Sequence, residues 1–133
     1  MKPDIAHYQE GVLKAINLYR ISKGLTPLMA NSVITEQAKQ HSIDMAHNTL
    51  PFGHDGFKQR MDVICKAIPG SISGAENIAY FKVSPQELVK KWLTSPGHRK
   101  NIQGDYNLTG IGVATDSKGR FYTTQIFINN KDA

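Results

Sequence analysis

The apolar spacing of this chain changes once, and that change decides the fold class. Up to Leu93 apolar residues recur at three and four positions; from Leu108 they crowd into two short runs rich in β-branched and aromatic side chains. Ile5, Tyr8, Val12, Ala15, Ile16 and Tyr19 make the stripe of a first helix that Gly24 stops. Thr26-Pro27-Leu28 is a connector. A second helix opens near Asn31 or Ser32 and aligns Ile34, Ala38, His41 and Met45. Asn48 to Gly56 is loop. A third, short helix runs from Phe57 to about Lys66, with Phe57, Met61, Ile64 and Cys65 on one face and the cysteine as a small core residue. Pro69 to Gly74 reads as a flexible stretch.

The fourth helix has the clearest start. Ser84 is its N-cap, Pro85 takes the first helical position, and Glu87 completes an S-x-x-E box. Leu88, Val89, Trp92 and Leu93 form its inner face, which makes Trp92 core rather than a ligand platform, and Ser95-Pro96 ends the helix. Leu108–Thr115 and Arg120–Ile128 then read as strands, joined by the turn Asp116-Ser-Lys-Gly119. Helices first and a strand pair last predict an α+β fold, with helices covering an antiparallel sheet.

The 133 residues are the size of one domain, expected to span 1–133, and such a chain buries roughly two-thirds of its unfolded surface. No apolar run is long enough to span a bilayer. The single cysteine excludes an internal disulfide, a Cys-rich zinc module and a redox pair. The start Met1-Lys2-Pro3-Asp4 carries no apolar leader, so a signal peptide is expected to be absent or already removed. A net charge of +5 favours polyanionic surroundings, such as cell-wall polymers or lipid headgroups. The cations are scattered, with Lys90, Lys91, Arg99 and Lys100 the densest group, and none interleaves with aromatics as a nucleic-acid platform does.

Chemistry concentrates in a few polar residues. His47, His54 and His98 stand among loop or polar residues, whereas His7 and His41 lie on helices and are weaker candidates. His54 sits in Phe52-Gly-His-Asp-Gly-Phe57, where glycines let the backbone bend. Glu76, in Gly74-Ala-Glu-Asn-Ile-Ala79, enters an apolar segment that reads as a strand, and a carboxylate there needs a partner. A histidine would satisfy it. Two imidazoles and a carboxylate also suit a divalent metal such as zinc.

In order, FGHDGF, AENIAY, the helix bearing Trp92, SPGHRKNI, TGIGVA and FYTTQIF resemble the CAP superfamily, or SCP domains: cysteine-rich secretory proteins, antigen 5 and plant pathogenesis-related 1 proteins. The match is closest to the bacterial, disulfide-free branch and runs from Asn17-Leu-Tyr-Arg20 to the last strand. The resemblance implies a three-layer α-β-α sandwich with a largely antiparallel central sheet, and a cleft that holds two His and two Glu in eukaryotic members. His54 matches the first histidine and Glu76 the first glutamate. Ser95 stands where the second glutamate is expected and Tyr122 where the second histidine is; His98 belongs to the bacterial SPGHR segment.

The resemblance further implies a secreted or periplasmic protein. Three functions compete for a cleft of His54, Glu76 and His98 with Ser95 and Tyr122 as neighbours. In order of preference they are a binding module for a small molecule, peptide, glycan or lipid; a metal-assisted site; and a hydrolase or peptidase. The last would use the histidines and Glu76 as acid–base groups and Ser95 as nucleophile. A monomer without nucleic-acid partners is expected.

Overall fold

The computed structural model describes residues 4–133; the start Met1-Lys2-Pro3, read above for a leader, lies outside the described residues. Among the described residues five helices and four strands follow in the order α1 (Ile5–Ser22), β1 (Met29–Ala30), α2 (Ser32–Ala46), α3 (Phe57–Ala67), β2 (Ser71–Ala79), α4 (Pro85–Leu93), α5 (Pro96–Ile102), β3 (Leu108–Thr115) and β4 (Phe121–Asn130). The strands form one sheet in the order β1-β3-β4-β2. β1 lies parallel to β3, and the other pairings are antiparallel.

The capping chemistry works as its sequence dictates. Asn31 accepts from Val33 and Ile34 N–H at the start of α2, and Ser84 Oγ accepts from Glu87 N–H at 3.1 Å at the start of α4. In the β3–β4 turn, Gly119 takes φ 74° while the Asp116 carboxylate accepts from Lys118 and Arg120 N–H.

Three layers result. On one face of the sheet Ile34, Ala38 and Ile64 of α2 and α3 pack on Leu108, Ile126 and Ile128. On the other, Tyr8, Val12 and Ile16 of α1 and Leu88 and Trp92 of α4 pack on Ile111, Val113 and Phe127. The fold is an α+β, α-β-α sandwich. Gly110 and Gly112 let α2 lie directly on β3: a Cβ at either would meet the helix backbone at Ile34–Thr35 or Ala38–Lys39.

Several expectations need correction. Cys65 is exposed, because only Ile64 and Arg60 of α3 face fully inward. Ser71–Gly74, read as flexible, is the first half of β2, where pairing with β4 overrides the weak strand preference of Gly and Ser. Ser95-Pro96 does end α4, but it also opens α5, with Pro96 at the first helical position. Met29–Ala30, next to the expected connector, is a two-residue strand.

Candidate functional site

The strand β2 lies at one edge of the sheet, and an open cleft of about 580 Å³ runs beside its end. One wall is the turn Phe52–His54 that leads into α3; the opposite wall comes from Lys91, Trp92, Ser95 and His98 of α4 and α5. Ile78 to Phe81 line it between them.

Beneath His54 lies a chain of charged contacts. Its Nδ1 is 2.8 Å from Glu76 Oε1; a carboxylate only accepts, so Nδ1 carries the proton and donates. That leaves Nε2 as the free edge of a ring whose side chain is 53% exposed. The Glu76 side chain is 2% exposed and is gripped from behind by a forked guanidinium, with Arg60 Nε donating to Oε2 and Nη2 to Oε1, each at 2.8 Å. Arg60 also donates to the Asp55 carbonyl at 2.7 Å and, more loosely, to that of His54 at 3.4 Å. Its fork therefore fixes both the carboxylate and the turn that carries the imidazole.

His41, discounted above as a helix residue, belongs to this cluster. Its Nε2–H donates to the Gly53 carbonyl at 2.7 Å, and Nε2 lies 3.9 Å from Glu76 Oε1. The latter contact is no ion pair. Burial pushes the His41 pKa down, with Arg60 and His54 adding to the effect against the Gly53 carbonyl and Glu76, so the ring is neutral. Its Nδ1 is buried without a partner, which a lone pair tolerates better than an added proton would.

His98 arrives from the other face of the sheet. Its ring stacks on Trp92 with centroids 6.1 Å apart, and burial, followed by the charge of His54, lowers its pKa. Buried Asn77 ties α5 to β2, donating to the His98 carbonyl at 3.1 Å and accepting from Asn101 at 2.8 Å. Two of the motifs singled out above, AENIAY and SPGHRKNI, are thus in direct contact.

Of the expected site residues, His54 and Glu76 are hydrogen-bonded, and His54, His98 and Ser95 share the cleft. Ser95 precedes α5 but its side chain makes no capping bond. Tyr122 is one ring removed, stacked 6.2 Å behind Tyr80. Trp92 is core at 1% exposure, yet its edge also lines the cleft. His47 is an exposed residue at the C-terminus of α2. The residues missed are His41 and Arg60. The second had a signal, because Arg60 lies three residues after Phe57 and four before Ile64, a cation on the inward stripe of its helix.

As they stand, these donors do not fit a divalent ion. Both Glu76 oxygens are spent on Arg60, with His54 Nδ1–H sharing one. Among the described residues no three His, Cys, Asp or Glu side chains gather as a ligand set.

The sequence model of the cysteine-rich secretory protein family, CAP, matches residues 13–127. The uncharacterized protein YkwD of Bacillus subtilis is 32% identical over 123 residues, 91% of this chain but 47% of that protein, so the chain spans less than half of this relative. Among solved structures, an outer surface protein from Borrelia burgdorferi has the same fold, with a TM-score of 0.84 at 20% identity over 98% of each chain. An extracellular protein containing a SCP domain from Bacillus anthracis gives 0.77 at 28% identity, over 98% of this chain and 44% of that one.

Proposed function

The chain belongs to the CAP family, and from that premise we propose that its cleft is an extracellular binding site for a ligand that pairs an apolar moiety with an anionic group. One observation carries the reading: three exposed aromatic rings and the Lys91 ammonium line an open cleft, beside a His54 ring that the buried Arg60–Glu76 pair holds in place through Nδ1–H. The cleft's chemistry supplies the rest. Phe52 and Tyr80 meet edge to face at 4.8 Å, Tyr80 stacks on Phe81 at 5.6 Å, and all three rings are substantially exposed, an arrangement soluble proteins rarely leave without a use. Lys91 Nζ stands 5.3 Å over the Phe81 ring and, among the described residues, is the one lining side chain with a permanent charge. Acidic peptides, glycans with carboxylates and anionic lipids share these features. An extracellular setting is supported by the outer-surface and extracellular relatives, and no helix among the described residues is long and apolar enough to cross a membrane.

Trp92, the only tryptophan, lines the cleft and reports on it. Titration with an acidic tripeptide, muramyl dipeptide and a short-chain phosphatidylglycerol should give a saturable emission change with at least one, weakened by His54→Ala and Lys91→Ala. No saturable change with any of the three removes the binding reading.

A hydrolase is the second reading, because a histidine held through Nδ1 by a carboxylate is oriented as a general base, with Ser95 in the same cleft. Turnover of an activated ester that is unaffected by His54→Ala and Ser95→Ala rules it out.

A further inference from the structure

We infer that Arg60 is the permanent cation of this site, holding the place that a metal ion would have to take to neutralise Glu76, so that the cleft is organised without a metal. A carboxylate whose side chain is 2% exposed needs a compensating positive charge. A half-exposed imidazole offers no permanent charge, and buried His41 is neutral. The guanidinium does, and it surrounds itself with oxygens much as a bound ion would: both Glu76 oxygens at 2.8 Å, the Asp55 carbonyl at 2.7 Å and the His54 carbonyl at 3.4 Å. A metal at Glu76 would have to displace a charge-assisted fork and would leave the guanidinium buried beside it.

Arg60 is in this sense a positioning residue. It touches no ligand; it fixes Glu76, and through Glu76 the imidazole whose Nε2 faces the cleft. The inference rests on the cleft reading only for its purpose, since the test needs no ligand and its failure is distinguishable from failed ligand binding.

Two measurements decide it. In the first, about 1 mM Zn²⁺ or EDTA is added to the intact chain. A zinc site of micromolar affinity would raise Tm by roughly ten degrees at that concentration, whereas Arg60 acting as the cation predicts shifts within about 1 °C for either reagent. Calorimetric zinc binding at one site that His54→Ala or Glu76→Gln abolishes overturns the proposal. In the second, Arg60→Ala should lower Tm sharply, and adding Glu76→Gln should recover a large part of the loss, because the carboxylate left without its cation is then gone. Arg60→Lys should fall between, keeping the charge but not the fork. If Arg60→Ala does not fold, the same ordering is read between Arg60→Lys and Arg60→Ala/Glu76→Gln, both of which must fold. A double variant no more stable than Arg60→Ala, or equally unfolded, overturns the assignment of Arg60 as a charge partner.

Discussion

Two arginines are buried in this molecule, and their partners differ. Arg20, 2% exposed, donates to four backbone carbonyls, those of Thr26, Ile102, Gly104 and Tyr106, at 2.8 to 3.0 Å, and has no carboxylate in hydrogen-bond contact. Arg60 donates to a carboxylate, and that carboxylate passes the constraint to a half-exposed imidazole. The first is a closed knot that ties the end of α1 to the end of α5 and the segment before β3. The second is an open chain with one end inside and the other at the cleft. Buried charge retained for architecture satisfies itself; buried charge retained for a site leaves one polar atom facing outward.

That contrast can be tested first where it should cost most. Arg20→Met leaves four carbonyls without their shared donor and should destabilise the protein by about 5 kcal/mol in urea unfolding, with no single second substitution able to recover it. Recovery by one partner change would make Arg20 another Arg60. Next comes the wall between the two regions. Trp92 packs between α4 and the sheet and donates from its indole N–H to the Ile78 carbonyl at 3.1 Å, so Trp92→Ala should lose about 4 kcal/mol. A loss below about 1 kcal/mol would take Trp92 out of the core.

A smaller effect is expected at the open end. The imidazole of His54 is half in water, so a double-mutant cycle between His54→Ala and Glu76→Gln should return a coupling of only about 1 kcal/mol. Coupling indistinguishable from zero would dissolve the chain at its last link and remove the general-base reading with it. The weakest signal is in pH. Burial lowers the pKa of both His41 and His98, so the unfolded chain takes up these protons first as the solution is acidified. Their contribution is present above about pH 6.5, the unfolded value, and is lost as pH falls below it toward the folded values. Denaturant midpoints at pH 7 and 5.5 should therefore differ, and His41→Gln should shrink the difference. Stability that rises on acidification contradicts the neutral His41.

How much of this was legible in the sequence follows from what each signal depends on. The box Ser84-Pro85-Gln86-Glu87 is local chemistry, and α4 begins where it says. The hairpin turn is equally local. β2 was half hidden because Ser71, Ser73 and Gly74 acquire their strand geometry from β4, which is far along the chain. In the sequence Pro96 reads as a stop, and in the fold it is also a start. The cost of burying a carboxylate points to the His54–Glu76 pair. A neutral imidazole donates a hydrogen bond without cancelling a charge, so burying Glu76 also requires Arg60, which stands on an inward helical stripe. His41 reads as a weaker candidate because it lies on a helix, on one stripe with Ile34, Ala38 and Met45. Here it packs and also holds the Gly53 carbonyl.

The two glycines of β3 give the cleft a dependence that no contact map of the cleft would reveal. α2 lies against Gly112 with its backbone at Ala38–Lys39, and the Ser42 hydroxyl of that helix donates to the Gly112 carbonyl at 2.9 Å. His41 is the next residue back along the helix. A methyl group placed on Gly112 would lift the helix off the strand, and the histidine that tethers the turn before His54 would rise with it. The spacing of one helix above one strand thus works as a height adjustment for the imidazole. A mutational scan scored on cleft function alone would rank Gly112 beside His54, although the glycine lies in the middle of the sheet and has no side chain to offer.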